Sequence, residues 1–262
     1  MRKRSLFFFL WFSLNIVGGC GSISPQDQTP QDQTYFDESQ YHYKLAYGYF
    51  FESKNGDLAL QEILKSLKKN DTNFKAHFLA GLIFSGRSNW LKAIEAYRRA
   101  IELHPTYYEA QNNLSTVYLS LGQWEKAIEI LTPLVQKIEY QTPAFGRNNL
   151  GWAYYKLEKY QKALNEFTNA NQLNPNLCPP YNNVGLTYFA LNDIERSVQF
   201  FNQGLKQCPR YIELYLNLGR VFLQNGRKRT AQPYLKKCHQ MSPNSSIGLR
   251  CLTLMNKRNE TL

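Results

Sequence analysis

Histidine is scarce in this 262-residue sequence, and the four present, His42, His77, His104 and His239, are scattered along it. No two cysteines stand at C-x-x-C spacing and the histidines do not cluster with them, which argues against a zinc site. A Gly-rich phosphate loop is missing as well. The acids, such as Glu95, Glu129 and Glu166, fall at positions read as exposed helix faces, and nothing in the pattern supports catalysis. The chain is therefore read as no enzyme, with no catalytic residue, no metal and no cofactor. A single long run of Lys and Arg is also lacking. The apolar stretch from Leu6 to Val17 is shorter than the roughly 20 residues that span a bilayer.

What is present begins with an export signal over residues 1–19: a basic Met1-Arg2-Lys3-Arg4, the apolar Leu6 to Val17, and small residues before Cys20. Val17-Gly18-Gly19-Cys20 resembles a bacterial lipobox, which implies acylation of Cys20 as residue one of the mature chain. Gly21 stands where the inner-membrane retention signal of such lipoproteins would place Asp. The resemblance thus implies a lipid anchor in the outer membrane, on its periplasmic face. Residues 20–40 are polar, with Pro25-Gln26-Asp27-Gln28-Thr29 duplicated as Pro30-Gln31-Asp32-Gln33-Thr34. So little apolar side chain cannot offset the entropy of ordering, and the segment reads as a tether. Loss of Arg2, Lys3 and Arg4 with the signal takes the formal charge from +11 to +8. An exported protein with scattered cations reads as having solvated basic helix faces and no nucleic acid partner.

From about Tyr41 onward one period dominates. Gly81, Ser115, Gly151, Gly185 and Gly219 are spaced 34, 36, 34 and 34 apart, and Ala93, Ala127, Ala163, Ser197 and Ala231 repeat those intervals. An aromatic follows each member of the first series by three: Phe84, Tyr118, Tyr154, Tyr188 and Phe222. Pro105, Pro175, Pro209 and Pro243 mark boundaries that a helix does not cross. Small residues on two successive helices let their backbones approach, while large neighbours such as Tyr154 and Phe167 fill the space beside the crossing. Each hairpin then has an apolar flank that only the next hairpin covers.

A 34-residue period with this L-G-x2-Y, A-x3-F and P pattern resembles the tetratricopeptide repeat. The resemblance implies an all-α, right-handed solenoid of about six helical hairpins, at 41–73, 74–107, 108–143, 144–177, 178–211 and 212–245. Residues 246–262 follow as a capping helix with a frayed tail. The first hairpin fits less well: Gly48 and Ala59 match, and the loop Lys54-Asn55-Gly56-Asp57 reads as shortening their spacing by one. Between Leu134 and Gly151 two residues are inserted, either as drift in a tolerant loop or as a family marker.

Such a solenoid carries its partner on the inner wall, which the first helix of every hairpin lines. In this register the wall includes Leu82, Thr116, Phe145, Trp152 and Tyr155. Further along come Leu186, Phe189, Leu216 and Arg220. The core positions are already filled by Leu150, Tyr154, Val184 and Tyr188, so Trp152, Tyr155 and Phe189 read as surface for an amphipathic helix or an extended apolar peptide. Leu82, Thr116, Trp152 and Leu186 occupy the place where a C-terminal-carboxylate clamp would need asparagine. Asn113, Asn149, Asn183 and Asn217 read as structural, bonded to neighbouring backbone. Beyond Cys20 four cysteines remain, which allow three pairings. In the repeat register Cys178 opens and Cys208 closes one hairpin, while Cys238 faces the capping helix that carries Cys251, which predicts the pairs 178–208 and 238–251. For Cys238 a second reading stays open, a thiol as one more small core residue where Ala100, Ala170 and Gly204 stand in other repeats.

A lipobox, a tether and six such repeats are similar to the type IV pilus pilotin lipoproteins, the PilF/PilW/Tgl group. The extension ending Tyr140-Gln141-Thr142-Pro143 falls where those proteins lengthen their middle repeat. The resemblance implies a partner in the secretin subunit, whose localisation and multimerisation the protein would promote. The alternative is a scaffold lipoprotein for cell-wall hydrolases or proteases, similar to NlpI-like proteins, with another periplasmic or outer-membrane protein as partner.

Overall fold

The structure, a computed structural model, describes residues 37–256; the export signal, Cys20, most of the tether and the tail after Asn256 lie outside the described residues. Among the described residues it holds thirteen α-helices and no strand. The first three hairpins are α1 (Glu38–Phe51) with α2 (Gly56–Lys69), α3 (Phe74–Gly86) with α4 (Trp90–Leu103), and α5 (Tyr108–Ser120) with α6 (Trp124–Leu134). Then come α7 (Pro143–Lys156) with α8 (Tyr160–Leu173), α9 (Cys178–Ala190) with α10 (Ile194–Gln207), and α11 (Ile212–Gln224) with α12 (Lys228–Met241). A single helix α13 (Ser246–Asn256) packs on α11 and α12. Odd-numbered helices bring their backbones close to the odd-numbered helices of the next hairpin along the whole array, while among the described residues the backbones of successive even-numbered helices stay farther apart. The odd helices therefore form the inner wall of the solenoid.

Local chemistry explains where the helices stop. His104, Asn174, Cys208 and Ser242 are the C-caps of α4, α8, α10 and α12, each one residue before a boundary proline that cannot continue the helix. The turns inside hairpins each need one residue at positive φ, and Lys54, Ser88, Gly122, Glu158, Asn192 and Gly226 supply it. In the second, fourth, fifth and sixth hairpins the crossing rests on a glycine beneath a large residue sixteen positions later. A Cβ added at Gly81 would lie 2.5 Å from Tyr97, at Gly151 2.7 Å from Phe167, at Gly185 2.6 Å from Phe201 and at Gly219 2.4 Å from Leu235. These large partners are almost fully buried. Tyr154 is set apart from the crossing, half-buried with the Lys162 ammonium 5.6 Å from its ring centre. The same cation roof recurs as Lys92 over Phe84, Lys126 over Tyr118 and Arg196 over Tyr188. In the sixth hairpin Thr230 takes the place of that cation.

Three expectations change at this level. Helix α1 begins at Glu38, with the Asp37 carboxylate accepting from the Ser39 and Gln40 amides, so the polar segment ends before residue 40. Ser39 is buried because its hydroxyl bonds Ser66. In the first hairpin Ala46 is the buried small residue, and Gly48 meets nothing closer than the Glu52 carboxylate at 3.8 Å. The loop there has the ordinary length, since Lys54 stands 34 residues before Ser88; Tyr47 occupies the usual small position and turns outward. Glu166 is a half-buried partner of Arg147 at 2.8 Å and leaves the group of exposed acids.

The two-residue insertion carries Tyr140, which is 2% exposed and fills the space over Gly146. Two disulfides are present: Cys178–Cys208, with Cα atoms 5.8 Å apart, and Cys238–Cys251, with Cα atoms 6.1 Å apart.

Candidate functional site

The inner wall owes its polarity to pairs of adjacent asparagines on α5, α7 and α9. Asn149 Nδ2 donates to Asn112 Oδ1 at 3.1 Å, Asn183 to Asn148 at 2.9 Å and Asn217 to Asn182 at 2.7 Å. Each bond joins one hairpin to the preceding one, so the side chains form a ladder along the wall. Only Asn113 bonds backbone, donating to the Glu109 carbonyl. The expectation of backbone partners therefore holds for that residue alone. The recurring dipeptides Asn112-Asn113, Asn148-Asn149 and Asn182-Asn183 are the signal that could have pointed to side-chain pairing. Satisfied amides of this kind hold adjacent first helices in register without adding apolar bulk.

Beside the ladder lies a cleft of about 370 Å3, lined by Thr116, Asn149, Trp152, Pro179, Asn183 and Tyr211. Trp152 is half-buried and stacks on Tyr155 with ring centres 5.2 Å apart and planes 16° from parallel. The Lys156 ammonium sits 5.9 Å from the Trp152 ring and 5.4 Å from that of Trp124. One flank of Trp152 and Tyr155 packs against the cluster of Ala163, Phe167 and Val184. Leu186 and Phe189 likewise lean on the C-terminal cluster, and Leu82 bridges the two N-terminal ones. These side chains are thus partly core and partly wall. Phe145 is 46% exposed at the start of α7, and Thr116 is exposed.

Leu216 does not belong to the wall. It is 5% exposed within the C-terminal cluster, because α13 packs against α11 as a further first helix would. The spacing along the chain puts Leu216 at an inner-wall position, but the chain after Pro243 folds back over it.

Arg220 is half-buried on α11, with its guanidinium donating to Asn217 Oδ1 at 3.0 Å. Burial, and then the nearby Arg250 guanidinium, push its pKa below the ordinary arginine value, while Tyr155 acts in the opposite sense. Burial also raises the Tyr155 pKa and pushes that of Tyr211 up to about 12, with Glu213 adding to the latter. The electrostatic character of the wall is therefore neutral aromatic surface ending in a cation. Among the described residues no group of three or more His, Cys, Asp or Glu could hold a metal ion, and no helix is long and apolar enough to cross a membrane.

Comparison with known proteins agrees with this architecture. Models described as tetratricopeptide repeat match residues 86–138, 144–177 and 212–245, and one described as TPR repeat matches residues 185–226. Human RanBP2, an E3 SUMO-protein ligase, is 35% identical over 83 residues, which are 32% of this chain and 2% of that protein. The RNA polymerase-associated protein CTR9 of Caenorhabditis elegans is 25% identical over 112 residues, 43% of this chain and 10% of CTR9. The chain thus spans a small fraction of these curated relatives. Among solved structures, PilW, described as a widely conserved type IV pilus biogenesis factor, superposes with a TM-score of 0.73 at 18% identity, covering 82% of this chain and 98% of PilW. PilF of Pseudomonas aeruginosa gives 0.67 at 18% identity over 82% and 97%. At such identities the likeness is one of fold.

Proposed function

Because the chain is a tetratricopeptide-repeat solenoid, we propose that it binds another protein along its inner wall, and that the partner is a secretin subunit of a type IV pilus system. The observation that carries the reading is the Trp152 and Tyr155 stack beside the 370 Å3 cleft. Stacked rings held by packed helices offer a large apolar contact without loss of side-chain freedom on binding, the property of interface anchors. Support for the pilus assignment comes from the likeness of fold to PilW and PilF over nearly their whole lengths. Localisation is part of the proposal: acylation of Cys20 anchors the protein to the outer membrane, facing the periplasm, and the polar residues after it let the solenoid reach its partner.

The test is replacement of Trp152 and Phe189 by Ala. Secretin multimers resistant to SDS and surface pili should be lost, while the circular dichroism of the solenoid stays unchanged. Glu129→Lys, on an exposed part of α6, is the silent control. Normal multimers in the double variant would refute the groove assignment, and unchanged secretin rings after deletion of the gene would transfer the reading to the cell-wall scaffold. Cys20→Ala should move the protein out of the outer-membrane fraction; retention there, with acyl labelling, would refute the anchor.

A further inference from the structure

Positive charge is concentrated at one end of the solenoid. Residues 212–256 contain seven Arg and Lys and a single acid, Glu213, whereas residues 38–69 contain five Lys and four acids. Among the described residues, Arg220, Arg227, Arg229, Lys236, Lys237 and Arg250 make no ion pair. Most of these are exposed on α12 or in the turn before it. Arg220 differs, because it is half-buried in the inner wall and held by Asn217, which is itself fixed to Asn182. Glu213 shares its face of α11 two turns away, roughly 10.5 Å along the axis, and does not pair with it.

We propose that Arg220, together with Arg250 on the α13 that packs against α11, forms a carboxylate-receiving corner at the C-terminal end of the groove, which takes a Glu or Asp side chain of an extended partner segment whose apolar neighbours lie on Trp152 and Tyr155. The inference deepens the groove reading above and rests on it, but not on the identity of the partner. A guanidinium withdrawn from water and lacking a counter-ion gains more from an arriving carboxylate than an exposed one does. The amide ladder keeps it oriented while the site is empty. A bilayer of anionic lipid is the poorer fit: a flat surface can meet the exposed cations of α12 but does not reach a half-buried group on the inner wall. Selection of acidic segments would also exclude neutral apolar peptides that the aromatic stack alone would accept.

The experiment uses the full chain and a fluorescein-labelled decapeptide alternating Glu and Phe, with a Gln and Phe counterpart, followed by fluorescence anisotropy. The acidic peptide should bind about tenfold more tightly than its neutral counterpart, as for a hydrogen-bonded charge pair. Arg250→Glu, at an exposed position that leaves the ladder untouched, should abolish that preference, and so should Arg220→Gln. Combined Arg229→Gln, Lys236→Gln and Lys237→Gln should preserve it within about twofold, which separates a defined corner from diffuse attraction. Equal binding of the two peptides, or an equal loss in the outer-face variant, would overturn the proposal. So would displacement of the acidic peptide by phosphatidylglycerol vesicles that depends on those outer cations. If neither peptide binds while the Trp152 and Phe189 variant still fails in secretin assembly, the corner falls and the groove stands.

Discussion

At the start of the stack α1 leaves Tyr41, Tyr47 and Phe51 nearly half exposed, whereas at its end α13 lies over α11 and α12 and a disulfide joins it to α12. The first hairpin lacks a glycine at its crossing; Ala46, Ala59 and Ile63 are fully buried there, and polar bonds add to this packing. Ser39 and Ser66 exchange hydrogen bonds, the Glu62 carboxylate accepts from Lys65 at 2.7 Å and meets His42 at 2.6 Å, and Lys69 pairs with Glu38. The sixth hairpin has a glycine crossing beneath Leu235 and a buried disulfide to α13. A repeat array has interior units that cover one another and two ends that must be finished separately. Here polar side chains help to finish one end, and a covalently fixed helix finishes the other.

The largest effect should come from the crossing. Gly219→Val places carbon within 2.4 Å of Leu235, whose side chain is fully enclosed, so the helices must separate. A cost of about 3 kcal/mol is expected, read as a lowered denaturation midpoint with early hydrogen exchange in α11 to α13. Next, replacing Cys238 and Cys251 together by Ser removes a bridge across a sequence separation of 13. Chain entropy alone assigns about 2–3 kcal/mol to such a loop; α13 should lose exchange protection while α1 and α2 keep theirs. Equal effects at both ends would break the comparison.

Acid should act in the opposite direction. The Lys65 hydrogen bond, with a further contribution from His42, holds the Glu62 pKa below its ordinary value near 4.5. A carboxylate depressed in the folded state contributes stability above its unfolded pKa and loses it as pH falls through the folded pKa. Exchange protection in α1 and α2 should therefore decline below about pH 4.5 before that of α11 and α12. The smallest effect is a gain: Gly48→Ala meets only the Glu52 side chain at 3.8 Å and should stabilise the first hairpin by about 0.5–1 kcal/mol. A loss there would return Gly48 to the crossing.

Much of the array is legible in the sequence because each hairpin must solve the same packing problem with residues at the same interval. The boundary prolines and the small residues at Gly81, Gly151, Gly185 and Gly219 expose that solution directly. The first hairpin misleads, since Gly48 is small and nearly in register while the buried residue is Ala46, two positions earlier. Period matching cannot detect the rotation of a helix whose apolar residues lie on every side, and α1 carries Tyr, Phe and Leu all round. The wall was legible in part. Trp152 lines the cleft beside the asparagine ladder and stacks on Tyr155, whereas Leu216 is buried in the core and three of the asparagine bonds run between hairpins.

By itself the amino-acid sequence determined the repeat class, the boundaries at prolines and the small-over-large crossings, because these depend on intervals along one chain and on side-chain volume. Only the tertiary structure decided which inner-wall residues remain accessible, that Tyr140 seals the insertion, and that Arg220 stands half-buried without a counter-charge. Those features depend on which neighbour covers a residue and which charge approaches it across two or three hairpins. Distances through space between such residues are not contained in their spacing along the chain.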